Sequence, residues 1–155
     1  MTRPVATFDV RRDLVALLPR LRRFALTLAA TVDEADELVR SACMSAIGKD
    51  WTKHRDGQAE ISIFRLLGSF ARQRKGNLTN RETLAADGCP NAIRGLALDM
   101  SPEQVSAFLL VEVEGFSYAD AADILATSSD SIAMHLCDAR LCFAGAGVSP
   151  SERWA

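Results

Sequence analysis

The chain has 155 residues, 48% of them hydrophobic and 25% charged, with a net charge of −2. That composition is typical of a soluble protein and suffices for one ordinary domain or two small ones. Apolar runs such as Ala107–Val111 are far too short to cross a bilayer, so no membrane insertion is expected. The N-terminal stretch MTRPVATFDVRRD lacks the apolar core of an export signal, which points to the cytoplasm. Charge is unevenly spread. Residues 1–82 carry fifteen Lys and Arg against ten Asp and Glu, whereas residues 83–155 carry three against ten. A basic front and an acidic back indicate two modules with different partners.

The apolar period is helical nearly throughout. RRDLVALLPRLRRFALTLAA predicts a helix over about Val10 to Ala29, interrupted or bent at Pro19. In TVDEADELVRSACMSAI, Thr31 and Glu34 have the spacing of a capping box, and Ala35, Leu38, Val39, Ala42 and Ala46 line one face. WTKHRDGQAE is polar, contains Gly57 and reads as a loop. ISIFRLLGSFARQRKG predicts a third helix. Its Ile63, Phe64, Leu67, Phe70 and Ala71 face inward, and Arg65, Arg72, Arg74 and Lys75 face out.

Residues 77–99 are rich in Asn and Gly, with Pro90, and read as a linker with one short helix around Arg81 to Ala86. SPEQVSAFLLVEVEG then offers Ser101 as N-cap, Pro102 at the first helical position and Gln104 to complete a capping box, with Gly115 as the stop. SYADAADILA starts on Ser117 and Asp120 in a related arrangement, and its Ala121, Ala122, Ile124 and Leu125 supply packing groups. After a TSSD turn, a last helix is predicted from about Ser129 to Phe143, followed by a frayed tail. No strand pattern or repeat is visible. The expected fold is all-α: a helical domain over 1–76, a linker over 77–99, a second helical domain over 100–144 and a flexible tail over 145–155. Three short helices with a tight turn before the last describe a helix-turn-helix.

The four cysteines lack metal-ligand spacing, and His54 and His135 stand apart from them, so no metal or cofactor is expected and the thiols read as small core residues. There is no glycine-rich phosphate loop, no H-E-x-x-H and no nucleophile elbow, and Tyr118 and Trp51 read as core or interface residues; the chain is not expected to be an enzyme.

More specifically, SPEQVSAFLLVEVEGFSYADAADILATSSDSIAMHLCDARLCF resembles the second domain of bacterial sigma factors of the extracytoplasmic-function class. The family pattern is met at Pro102, Glu103, Gln104, Leu109, Leu110, Glu114, Gly115, Ser117, Tyr118, Ala121, Ala122, Ile124 and Leu125. The front half is similar more loosely. Asp36, Glu37, Leu38 and Val39 fit the family's polymerase-binding helix, while Arg40 and Ser41 depart from it. Phe64 and Arg65 fit its promoter-melting helix, while Ser62, Gly68 and Ser69 depart. The resemblance covers about residues 10 to 143. It implies binding to core RNA polymerase through Asp36, Glu37, Leu38, Val39 and Arg40, to promoter DNA through Arg65, Arg72, Arg74 and Lys75, and to an anti-sigma factor.

The last helix breaks the pattern. Aligned with the family, the usual Lys falls on Ala133 and the usual Arg residues fall on His135 and Asp138; Arg140 alone keeps its charge. DNA affinity rests largely on phosphate neutralisation, and base reading in the major groove favours Arg and Lys. At about 100° per residue, Ile132, Leu136 and Ala139 share one face and Met134, Cys137 and Leu141 the opposite one. An outer face that is apolar calls for a protein partner. The groups expected to meet DNA or a partner are Ser128, Ser129, Ser131, Met134, His135, Cys137, Asp138, Arg140 and Leu141. Two functions follow. The first is a sigma factor that binds core polymerase and promoter DNA. The alternative is a sigma-mimicking adaptor that binds an anti-sigma factor or another regulator and has lost most DNA binding.

Overall fold

The computed structural model describes residues 9–50, 57–78 and 100–145, and the described residues are helical with no strand. Trp51, His54, Cys89, the linker from Thr79 and the tail lie outside them. The chain divides into two compact units, one holding the first three helices and the other the remainder.

In the front unit, α1 spans Val10–Leu28, α2 spans Val32–Ile47 and α3 spans Gln58–Leu78. The Asp9 side chain caps α1 by accepting from the Arg11 amide. Pro19 lies inside α1, which runs through it rather than ending there. The α2 cap differs slightly from a standard box. Thr31 accepts from the Glu34 amide at 3.1 Å, but Glu34 reaches back to the Ala30 amide at 2.9 Å, one residue beyond the cap. Gly57 takes a positive φ of 86°, and α3 begins immediately after it. Gln58, Ala59 and Glu60, expected in the loop, are therefore helical. Ala59 is buried, and this burial extends the helix backwards.

The front core is built as the period demands. Leu14, Leu17, Leu21, Phe24 and Ala25 of α1 meet Ala35, Leu38, Val39, Ala42 and Ala46 of α2 and Ile63, Phe64, Leu67 and Ala71 of α3. Phe24 and Phe64 stack tilted, with ring centroids 5.6 Å apart. Each fully buried ring of this kind contributes about 2–3 kcal/mol. Arg20 covers the outer side of Phe64 at 5.6 Å and pairs with Glu60, tying α1 to α3.

In the back unit, α4 spans Pro102–Phe108 and continues into a wider π turn over Leu109–Val113. α5 spans Tyr118–Leu125 and α6 spans Ser129–Gly145. The Ser101–Gln104 box is reciprocal, with bonds of 3.2 and 3.0 Å. The α4 helix widens before it ends. The Glu114 amide reaches the Leu109 carbonyl at 2.9 Å, and Gly115 at φ 78° then reverses the chain. Ser117 caps α5 by accepting from the Asp120 amide at 3.1 Å, and its hydroxyl donates to Asp120 Oδ2 at 2.8 Å. Leu110, Ile124, Ile132 and Leu136 centre the core, and Phe108 and Phe143 stack 5.0 Å apart to hold the two ends of the unit.

The turn into α6 contains a strained residue. Ala126 is left-handed at φ 53°, with the Thr127 amide bonded to the Ala122 carbonyl at 2.9 Å. This position favours glycine, because a Cβ there crowds the backbone by about 1–2 kcal/mol. Ala126→Gly is expected to stabilise the protein by about 1 kcal/mol, seen as a rise of several degrees in the melting temperature.

Candidate functional site

The residues that carry the functional argument lie on α6. Ile132, Leu136 and Ala139 are at most 1% exposed, so their row faces the core. The opposite row is open: Met134 is 57% and Leu141 64% exposed, and Cys137 lies between them at the surface. Ala133 is exposed beside this row, and His135 and Asp138 are half-buried at its edges. Cys137 follows its place in the helical period rather than the general tendency of free thiols to be buried: one position past Leu136, it is turned about 100° away from the buried row and is exposed. Cys43 and Cys142 are half-buried, and burial pushes the Cys43 thiol up.

Two groups at the start of α6 hold each other. Ser128 caps the helix by accepting from the Ser131 amide at 3.1 Å, and the two hydroxyls sit 3.0 Å apart. The Ser131 amide is thus already satisfied. Ser129 remains exposed in the first turn. Arg140, the one cation among the described residues of the back unit, pairs with Glu112 on the π turn. The hydrogen bond to Glu112 holds the guanidinium above its ordinary value, with a smaller contribution from Tyr118. The outer face of α6 therefore presents methyl, thioether and thiol groups, with its one guanidinium already engaged by a carboxylate.

On the front unit, the polymerase-binding residues expected from α2 separate. Leu38 and Val39 are in the core, at 3% and 9% exposure. Asp36 and Arg40 are exposed and Glu37 is half-buried. A partner at this helix would meet these three rather than all five. Asp36 accepts from Arg22 Nε at 2.8 Å and from a second guanidinium nitrogen at 3.4 Å. That bonding holds the Asp36 carboxyl below the usual carboxylate range. The stabilisation is therefore present near neutrality and is lost as pH falls through the lowered value. Arg40 lies 3.9 Å from Glu37, one turn earlier. Met44 and Ile47 extend the same row and are 65% and 49% exposed. Their spacing of four and seven from Arg40 places them there, although the family pattern does not include them.

On α3, Arg65, Arg72 and Lys75 are exposed and Arg74 is half-buried. Partial desolvation lowers Arg72 from its ordinary value. Arg65, Arg72 and Lys75 share the solvent side of the helix, whereas Arg74 lies about 180° around the axis from Arg65.

Known proteins of the same form can be set beside this geometry. Residues 98–140 match the family described as the sigma-like domain of the response regulator PhyR. The chain is 32% identical over 136 residues to the ECF RNA polymerase sigma factor EcfG of Rhodopseudomonas palustris strain TIE-1, covering 76% of this chain and 74% of that protein. The chain belongs to the extracytoplasmic-function sigma family. Its fold is shared with the sigma factor RpoE of Bartonella quintana, solved in complex with the anti-sigma factor NepR. That match has 26% identity and a TM-score of 0.67, over 85% of this chain and 92% of that one. It is shared also with the PhyRSL–NepR complex of Sphingomonas sp. Fr1, with 22% identity and a TM-score of 0.65, over 86% of each chain.

The pairing of Arg140 gives a direct test. Glu112→Gln removes the carboxylate and keeps the side-chain volume. Duplex DNA binding by the full chain is expected to rise a few-fold, with the salt slope steeper by about one, in a fluorescence anisotropy titration across salt concentrations.

Proposed function

We propose that this chain is a sigma-like adaptor that binds an anti-sigma factor and whose last helix has lost most DNA binding. The single observation that carries the reading is the exposed row Met134, Cys137 and Leu141 on the helix that would enter the groove, with Arg140 held by Glu112. Phosphates need cations, and this row has none to offer. An apolar row on a helix needs apolar contact. The solved relatives add support, because both RpoE and PhyRSL are described in complex with NepR. In this reading α5, the turn at Ala126–Ser128 and α6 form the helix-turn-helix of a second domain over 100–144. Residues 1–76 form the first domain, 77–99 the linker and 145–155 the tail. The chain works by occupying a partner, with no catalysis, cofactor or metal involved.

A second reading keeps full sigma activity. The identity to EcfG favours it, as do the cations on α3. There, Asp36, Glu37 and Arg40, extended by Met44 and Ile47, would meet core RNA polymerase, and Arg65, Arg72, Arg74 and Lys75 would meet promoter DNA. Ser128, Ser129 and Arg140 would supply what phosphate contact α6 retains. Anti-sigma binding is common to both readings. DNA and polymerase binding separate them.

The test is a titration of the purified chain against an anti-sigma factor of the NepR kind and against core polymerase on a promoter library. Tight anti-sigma capture with no promoter-dependent transcription supports the adaptor. Transcription from any promoter supports the sigma factor and ends the adaptor reading. Two sets of variants locate the site. Met134→Asp with Leu141→Asp is expected to weaken anti-sigma binding by at least about ten-fold, because apolar contact is replaced by two buried charges. Ala133→Lys with Asp138→Arg restores the family's cations. It is expected to create duplex binding with a salt slope steeper by about two, whereas a steep slope in the unmodified chain would contradict the proposal.

A further inference from the structure

The open row of α6 carries charge as well as apolar groups. Asp130 is exposed in the first turn, and Asp138 is half-buried further along the helix. Each stands four residues from Met134, so each lies about 40° to one side of it around the axis, and about 12 Å separates the two along the helix. The exposed Met134 thioether therefore sits between two carboxylates, with Cys137 and Leu141 continuing the apolar surface beyond it.

Neither carboxylate has a hydrogen-bond or ion-pair partner among the described residues. Asp130 needs none, because a carboxylate in the first turn interacts favourably with the helix N-terminus. Asp138 has no such support in mid-helix, and its partial burial beside apolar groups removes water without supplying a partner. Arg140 does not neutralise the row, since Glu112 engages it at the edge. The described residues of the back unit hold seven carboxylates against that one guanidinium, so the field over the row is negative.

We infer that this row docks a basic amphipathic helix of the partner protein. The inference rests on the reading of α6 as a protein-docking helix and adds the chemistry of the segment that docks. Apolar side chains of the occupant, at three- and four-residue spacings, cover Met134, Cys137 and Leu141, and two Lys or Arg residues about eight positions apart meet Asp130 and Asp138. The apolar row makes the contact and the unpaired carboxylates select the occupant. An acidic helix is repelled by both of them. The phosphates of a nucleic acid meet the same repulsion. The α6 row of a second copy brings a like pair of carboxylates and is rejected on the same ground.

The probes are two synthetic helical peptides with leucines at three- and four-residue spacings, one with lysines eight residues apart and one with glutamates in their place. Each is titrated against the full chain by fluorescence anisotropy. At low salt the lysine peptide is expected to bind at least about ten-fold tighter than the glutamate peptide, and the gap is expected to narrow as salt rises. Asp130→Asn with Asp138→Asn keeps side-chain volume and is expected to reduce that preference to roughly two-fold or less. Glu103→Gln with Asp120→Asn, the same change of net charge on α4 and α5, is expected to leave most of it. Met134→Ala with Leu141→Ala is expected to weaken the lysine peptide by at least about ten-fold. Equal affinity for the two peptides overturns the inference, as does a preference that survives the Asp130 and Asp138 variant or falls equally with the control pair. Capture of an anti-sigma factor of the NepR kind separates this failure from failure of the underlying reading. Capture lost in the alanine variant, with no charge preference among the peptides, overturns the inference and leaves the docking helix in place. Capture untouched by the alanine variant ends both. Sedimentation showing a dimer of the unmodified chain that the Asp130 and Asp138 variant dissolves overturns the inference too, in favour of a basic surface on a second copy.

Discussion

Burial of Ile132, Leu136 and Ala139 fixes the rotation of α6 about its own axis. The helix has nearly no choice of which side to present once these three are packed against α4 and α5. Each step of 100° then assigns the remaining residues: Met134, Cys137 and Leu141 outward, His135 and Asp138 to the edges. Turning the helix far enough to hide the outer row would expose Ile132 and Leu136, each worth about 2 kcal/mol of burial. The apolar exterior is thus held in place by the core, and it is a constant feature of the folded unit. The Glu112–Arg140 pair follows from the same rotation, because it sets Arg140 opposite the π turn.

The front unit obeys a parallel constraint with a different result. Three helices converge on Phe24 and Phe64, and the arginines around that centre are partly structural. Arg20 pairs with Glu60 and covers Phe64, and Arg22 pairs with Asp36. Exposed pairs of this sort add little to stability singly. Their larger effect is to fix side-chain direction, so that a positively charged helix surface is presented in a set geometry. Asp36 is consequently both a candidate contact for a partner and the anchor of an α1 side chain. A partner that took Asp36 for itself would release Arg22, and the two events are coupled.

The helices were legible because their apolar rows repeat at three and four residues and three of their starts carry Ser or Thr with an acidic or amide partner three residues on. Thr31, Ser101 and Ser117 all cap as their spacing implies. What escaped is of two kinds. Backbone adjustments such as the π turn after Phe108 and the left-handed Ala126 depend on how α4 and α5 reach α6, which no local pattern encodes. Residue roles taken from a family pattern mixed core with surface: Leu38 and Val39 match the pattern because they pack, and Asp36 matches as a surface group. Periodicity alone separates them, since Leu38 and Val39 share the row of Ala35, Ala42 and Ala46. The same arithmetic finds Met44 and Ile47. The outer face of α6 was legible for the opposite reason. It is defined by missing charge, which sequence displays as plainly as charge itself.

Loss of cations and gain of apolar surface on α6 act in the same direction but through different physics. Each lost phosphate contact flattens the salt dependence of DNA binding by about 0.9 and lowers affinity at every sequence alike. Each exposed apolar group adds affinity for any surface that can exclude water from it, about 25 cal/mol for each Å² covered. Ala133, His135 and Asp138, where the family pattern has cations, account for the first, and the row of Met134, Cys137 and Leu141 accounts for the second; both sets leave the core residues Ile132, Leu136 and Ala139 untouched. Under the proposed adaptor reading, the outer residues of α6 can therefore be exchanged without disturbing the interior that sets the helix rotation.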